Sequence, residues 1–256
     1  MINMLSAGSR ICLALPTWAQ KIHDDFVLNF VNEDRYMYLV KGLLMTLEIT
    51  FLAVILGVIL GVIAAIIRST HDKTIKDMRP GFGKVLLKIL NIITNIYLTV
   101  IRGTPVVVQL MITYYIIFAS STNQVLVAVL AFGFNSGAYV AEIIRSGIMS
   151  IDNGQFEAGR SLGFNYIQTM VYIIIPQAFK NVLPALANEF IVLIKETSVS
   201  GYVGIMDLTR GGDVIRSRTF SAFMPLLAVA GIYLIIVIFF SKLVSVLERR
   251  LRNSER

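Results

Sequence analysis

The chain has 256 residues, of which 56% are hydrophobic and only 15% charged. Soluble domains carry about a quarter charged residues, so this composition, with its apolar residues gathered in long runs, excludes an ordinary soluble domain and specifies an all-α integral membrane protein. The net charge of +7 does not point to nucleic acid, because the cations flank hydrophobic runs, where they orient helices.

The single cysteine, Cys12, excludes an intrachain disulfide and a cysteine metal cluster. There is no G-x-x-x-x-G-K-[ST] loop for nucleotide phosphates. The opening MINMLSAGSRICLALP has one cation, Arg10, and only five residues between it and Pro16, too short a core for a secretory signal. Residues 1–36 are expected as an uncleaved, partly interfacial tail.

A bilayer core of about 30 Å needs ~20 apolar residues as helix. Span 1 is expected over Leu39–Ile67. Its Gly57 and Gly61 form G-x-x-x-G, which permits close packing but is common in membrane helices. The apolar stretch Val85–Phe118 would extend roughly 50 Å as one helix, and IRGTPVV (Ile101–Val107) interrupts it. An amphipathic segment is expected before the break, and span 2 through and after it. Gly103 is permissive, Thr104 can cap, and Pro105 suits a first helical position. Freed N–H groups near Val106–Val108 then offer a carboxylate site; the alternative is a structural proline kink with Arg102 held at the interface.

Span 3 is expected over Val125–Ile144. Asn135 gives either a polar contact to substrate or a helix–helix hydrogen bond. Glu142 and Arg145, three apart, pair along one helix face. NGQFEAGRSLGF (Asn153–Phe164) follows as a short polar helix. Asn153 and Gly154 are starting residues, Glu157 is placed to reach back to the Gly154 N–H, and Gly163 suits the stop. Phe156, Leu162 and Phe164 would be exposed on it, so it is either a docking element or a loop lying on the membrane.

Span 4 is expected over Asn181–Val203 and carries Pro184, Asn188, Glu189, Lys195 and Glu196. A carboxylate at Glu189 is costly there unless paired, with substrate or with a protein cation. Lys195–Ser198 reads as an interfacial anchor in preference to a gate, and span 5 as Phe223–Val246. With the carboxyl end inside, the cytoplasmic segments hold fourteen Lys and Arg against six outside, which puts the amino end outside.

GQFEAGRSLGFNYIQTMVYIIIPQAFKNVLP resembles the EAA loop of ATP-binding-cassette importer permeases. Glu157, Ala158, Gly163 and Pro176 match its pattern; Gly159 stands where Ala is usual, and Ile175 where Leu is usual. Gly costs about 1 kcal/mol relative to Ala inside a helix, so the resemblance predicts a looser helix that depends on its partner. YLTVIRGTPVVVQL, GAYVAEIIRSGI, LPALANEFIVLIKETSV and LERRL are similar to the polar amino acid subfamily (His, Glu, Gln, Arg and opines), over Tyr38–Leu251.

The resemblance implies a type I importer permease fold of about five spans. Its parts are a tail of residues 1–37, a transmembrane domain 38–251 and a cytoplasmic tail 252–256. It implies a second permease subunit, two ATP-binding subunits that carry ATP and Mg, an extracytoplasmic solute-binding protein and a polar amino acid as substrate. The chain itself would bind no cofactor and sit in the bacterial inner membrane among lipid. Gly154, Glu157, Ala158, Gly159, Arg160 and Gly163 would couple to the ATPase; Gly103, Thr104, Pro105, Asn135, Asn188 and Glu189 would meet substrate. An intramembrane enzyme lacks its catalytic pair here, since His23 and His71 lie outside the spans. An ion-coupled carrier or channel is the remaining alternative, though no internal repeat supports it.

Overall fold

The computed structural model describes residues 16–253. The expectations for Arg10 and Cys12, and for the last three residues of the carboxyl tail, lie outside them. All regular structure among the described residues is helical, and five segments are long and apolar enough to cross a membrane, as the hydrophobic runs require.

Helix α1 (Thr17–Phe26) leads through a π-helical segment, Val27–Val31, toward the first span. Helix α2 (Tyr36–Thr74) has 39 residues and so runs roughly 58 Å. That exceeds the ~30 Å hydrocarbon core, and its last turns project beyond the apolar run, carrying Arg68, Asp72 and Lys73.

The next region differs from expectation. The membrane-length helix precedes the break: α3 (Phe82–Gly103, 22 residues) buries Asn91, Thr94 and Leu98, spaced three and four apart on one face. Arg68 donates a hydrogen bond to Asn95 from α2. After the break come only α4 (Val106–Ile112) and a π-helical continuation, Thr113–Ile117. The segment before the break, expected as amphipathic with the span after it, is itself the membrane-length helix, and its Asn91 and Thr94 are turned into the protein.

Helix α5 (Gln124–Met149) is capped by Asn123, whose side chain accepts the Leu126 N–H at 3.0 Å. It lies at the centre, its inner face made of small residues. A Cβ added to Gly57 would meet the Ser136 side chain at 2.9 Å, and one added to Gly61 would overlap Val140. Gly133 and Gly137 of α5 answer with equally close approaches to Leu56 and to Leu60 and Tyr97. The seam therefore uses G-x-x-x-G on both helices, which lets two backbones approach where lipid supplies no hydrophobic drive.

Helix α6 (Asn153–Ser161) is followed by α7 (Tyr166–Thr169), a π-helical segment Met170–Ile174, α8 (Ile175–Glu196) and a 3₁₀ run Thr197–Val203. From Tyr166 to Val203 this is one membrane-length unit of 38 residues, longer than the expected span 4, with Pro184 inside α8. Helix α9 (Leu208–Thr219) packs across the ends of α2 and of α10 (Phe223–Asn253), burying Leu208 and Ile215 against Phe30, Leu39 and Val229.

Candidate functional site

Helix α6 is built from its cap inward. The N-cap of α6 is Asp152, not Asn153 or Gly154: its Oδ1 accepts the Gly154 N–H at 2.7 Å, the donor that Glu157 was expected to reach. Gly163 has φ +81, where an L side chain is strained, and the Phe164 N–H closes the end on the Gly159 carbonyl at 3.0 Å. The stop therefore falls where the sequence places it.

Gly159 plays a different part from the one its helix propensity suggests. It is the buried residue of α6, and an added Cβ would stand 2.7 Å from both Thr169 Cγ2 and Thr169 Oγ1. Absence of a side chain lets α6 lie against α7, so the glycine tightens the segment instead of loosening it. Phe156 packs with Ile148, Ile174 and Ala178 at the ends of α5 and α8. Lys73 of α2 donates to Asn153 Oδ1 at 2.9 Å and sits over the Phe156 ring at 4.4 Å. Gly154, Glu157, Ala158 and Arg160 remain exposed, and Leu162 is 70% exposed. Phe164 is half-buried against Tyr172, with ring centroids 6.1 Å apart. The helix is thus held on one side and open on the other.

A cavity of about 480 Å³ opens between α3, α5 and α8, its lining including Arg102, Tyr139, Glu142, Asn181 and Glu189. Glu189 is 8% exposed, and its Oε1 accepts from Ser136 Oγ at 3.1 Å. Among the described residues no cation forms an ion pair with it. Asn181 donates to Ser150 Oγ at 3.0 Å, and Gly147, beside it in the lining, lets Val182 approach too closely for any Cβ.

Arg102 stands opposite in charge to Glu189. Its Nη1 lies 3.6 Å from Glu142 Oε2, and its guanidinium is 5.8 Å from the Tyr139 ring centre. Arg145, paired with Glu142 at 2.7 Å, continues to Asp72 of α2 at 3.8 Å. The pairing of Glu142 with Arg145 is as expected; the links to Arg102 and Asp72 are not legible from spacing along one helix.

The remaining sequence candidates are not gathered around Glu189. Asn188 is exposed and does not line the cavity. Gly103 ends α3, and Thr104 donates to the Val100 carbonyl at 2.8 Å instead of capping the next helix. Pro105 is the N-cap of α4, and the Val108 N–H goes to its carbonyl at 3.1 Å, so this donor is not free for a carboxylate. Gln109 holds the break: its Nε2 donates to the Ile101 carbonyl at 2.7 Å and to Thr104 Oγ1 at 2.8 Å, while its Oε1 accepts from Asn135 at 2.9 Å. Asn135 thus makes a helix–helix hydrogen bond, the second of its two readings. Gln109 and Arg102 lay inside the quoted IRGTPVV stretch or next to it, and the polarity of Gln109 in an apolar run was the available signal.

Known proteins resemble this chain in sequence and fold. The family of binding-protein-dependent transport system inner membrane components matches residues 81–253. The glutamine transport system permease protein GlnP of Escherichia coli (strain K12) is 40% identical over 169 residues, 64% of this chain and 77% of that protein. The arginine transport system permease protein ArtQ of Bacillus subtilis (strain 168) is 39% identical over 166 residues, covering 64% and 76%. A crystal structure of an amino acid ABC transporter with histidines superposes with a TM-score of 0.74 at 42% identity, over 86% of this chain and 98% of that one. This chain, helical throughout its described regular structure and with five membrane-length helical segments, belongs to the family of binding-protein-dependent transport system inner membrane components.

Proposed function

We propose that the chain is the transmembrane permease subunit of an ATP-driven importer of polar amino acids, working with separate ATP-binding subunits and an extracytoplasmic solute-binding protein. The observation that carries the reading is the cavity lined by both Glu189 and Arg102. A zwitterion needs a partner for each charge inside a membrane, and the unpaired carboxylate of Glu189 suits an ammonium or guanidinium group. The relatives named for glutamine and arginine transport support the same substrate class.

Gly154, Glu157, Ala158, Gly159, Arg160 and Gly163 form the coupling segment. Of these, Glu157 and Arg160 are the open polar face for an ATPase groove; Gly159 and Gly163 set the helix's seat and its stop. ATP and Mg bind on that partner, and the permease acts as a two-state element whose equilibrium the partner biases. A second permease subunit completes the pathway, the amino end lies outside, and the carboxyl end is cytoplasmic in the bacterial inner membrane.

The test is uptake by the assembled complex in proteoliposomes. Glu189→Gln should weaken transport of cationic amino acids more than neutral ones, with the complex still assembled. Glu157→Lys should reduce co-purification of the ATP-binding subunit. Unchanged selectivity across the amino acid set removes Glu189 from the site, and absence of any ATPase beside the parent chain overturns the importer reading.

A further inference from the structure

Helix α1 carries a surface that nothing among the described residues covers. Trp18, Ile22 and Phe26 stand four residues apart and so share one face; they are 66%, 50% and 50% exposed. No side chain of α1 is buried. A helix of ten residues is marginal in water by itself, so its order calls for a surface beneath that stripe.

The next member of the stripe has such a surface. Phe30, its ring 5.2 Å from that of Phe26, packs with Leu39, Leu208, Ile215 and Val229. Buried Asn29 beside it accepts from Thr219 Oγ1 at 2.8 Å and donates to Ser221 Oγ at 3.3 Å, while Arg35 donates to the Leu28 carbonyl at 2.7 Å. The two Asn29 bonds hold the root of α1 to the turn between α9 and α10, at the end of the molecule where spans α2 and α10 both begin. The first turns of those spans expose Val40 and Leu44, and Phe223 and Leu227, which are lipid-facing positions of membrane helices. Through Phe26 and Phe30 the stripe of α1 leads to the core where these two spans begin. The same turn holds Phe220 at φ 54 with its ring 96% exposed, a strained backbone bearing an aromatic that water solvates poorly.

We propose that α1 is an interfacial helix that lies on the bilayer, with Trp18, Ile22 and Phe26 inserted at the headgroup level and Phe220 in the same aromatic belt. The charged residues of α1, Lys21, Asp24 and Asp25, have both signs, so apolar insertion and not attraction to anionic lipid supplies the binding. Aromatic side chains favour this level of the membrane, and a helix anchored there fixes where span α2 enters.

Trp18 is the single tryptophan of the chain, which makes the test direct. The assembled transporter is reconstituted in phosphatidylethanolamine–phosphatidylglycerol vesicles, and the emission of Trp18 is taken as the difference between the parent and Trp18→Phe. The expected result is an emission shifted to shorter wavelength, quenched by lipids brominated near the headgroup more than by lipids brominated at the chain end. Ile22→Asp, at a position that buries nothing, should move the emission back toward its aqueous wavelength and reduce quenching. Aqueous emission without quenching by brominated lipid overturns the proposal, and so does a wavelength shift that occurs only when the solute-binding protein is added.

Discussion

Gly159 and Thr169 together decide how closely the coupling helix is seated. Ala at position 159 would gain about 1 kcal/mol of helix propensity, but its Cβ would stand 2.7 Å from the Thr169 side chain, and overpacking of this kind costs typically ~1–3 kcal/mol. Overpacking wins on these magnitudes. Gly159→Ala is therefore expected to lower the melting temperature in detergent and the yield of complex with the ATP-binding subunit. Thr169→Ala, which removes both clashing atoms, should restore Gly159→Ala in a double-mutant cycle; additive losses would show that the two residues do not meet. Asp207 gives a second residue-scale outcome. It is fully buried, its Oδ1 accepts the Arg210 N–H at 2.7 Å and its Oδ2 has no partner. Burial pushes its carboxyl up to about 6, so the folded protein holds the proton more tightly than the unfolded chain. The stability contributed by that proton is present at low pH and lost as pH rises through about 6. Thermal stability should fall between about pH 4 and 6, and Asp207→Asn should flatten that part of the profile. Parallel profiles for parent and variant would assign the dependence elsewhere. Residue identity alone foretold the costly acid at Glu189 and the stop at Gly163, each with a single-residue cause. It could not foretell the role of Gly159, which depends on a side chain ten positions away in sequence but adjacent in space.

Helix α2 and helix α5 meet along a seam that lacks side-chain bulk on both sides. Gly57, Gly61 and Gly133 each face an atom of the other helix too close for a Cβ, and Gly137 faces Leu60 of α2 at 3.0 Å and Tyr97 of α3 at 2.8 Å. Gly61→Leu should separate the two backbones and cost more than the ~1–3 kcal/mol typical of added methylenes in a packed core, because Val140 and the Ala141 backbone both lie in its path. The check is the monodisperse yield of the complex in detergent; a yield equal to the parent's would mean that the seam can part without penalty. Five spans were legible in the sequence because hydrocarbon thickness imposes a length that composition reveals. Partners of those spans were not, since G-x-x-x-G marks a close approach without naming the helix that approaches. The reversal at the α3–α4 break has a similar cause. An amphipathic segment is the expectation before the break, yet Asn95 is satisfied by Arg68 and Asn91 is turned inward. A polar residue in an apolar run reads the same whether its partner is water or another helix.

Between the coupling helix and the cavity runs a contiguous set of polar contacts that crosses three helices. Lys73 holds Asn153 and covers Phe156; its neighbour Asp72 lies 3.8 Å from Arg145; Arg145 pairs with Glu142; and Glu142 reaches Arg102 at the cavity wall. The overlength of α2 makes this possible, because its projecting last turns touch both the coupling segment and α5. Exposed ion pairs contribute about 0–1 kcal/mol to stability, and these side chains are a quarter to two-fifths exposed. Their worth therefore lies less in holding the fold than in differing between two arrangements, one with the pairs made and one with them broken. If tilting of α6 draws Lys73 and Asp72 with it, Arg145 loses one carboxylate and pulls harder on Glu142, which loosens Arg102 at the cavity. Asp72→Asn is then expected to shift the coupling between solute arrival and ATP hydrolysis by roughly 0.5–2 kcal/mol, while the complex assembles normally and its preference among amino acids stays as in the parent. Glu189→Gln should do the reverse, changing preference and leaving basal hydrolysis intact. Measuring ATP hydrolysis with and without loaded solute-binding protein, beside uptake of cationic and neutral amino acids, separates the two. Should Asp72→Asn leave the stimulation of hydrolysis unchanged, the chain of contacts is structural only, and the lever must act through the packing of Phe156 and Gly159 against the ends of α5 and α8.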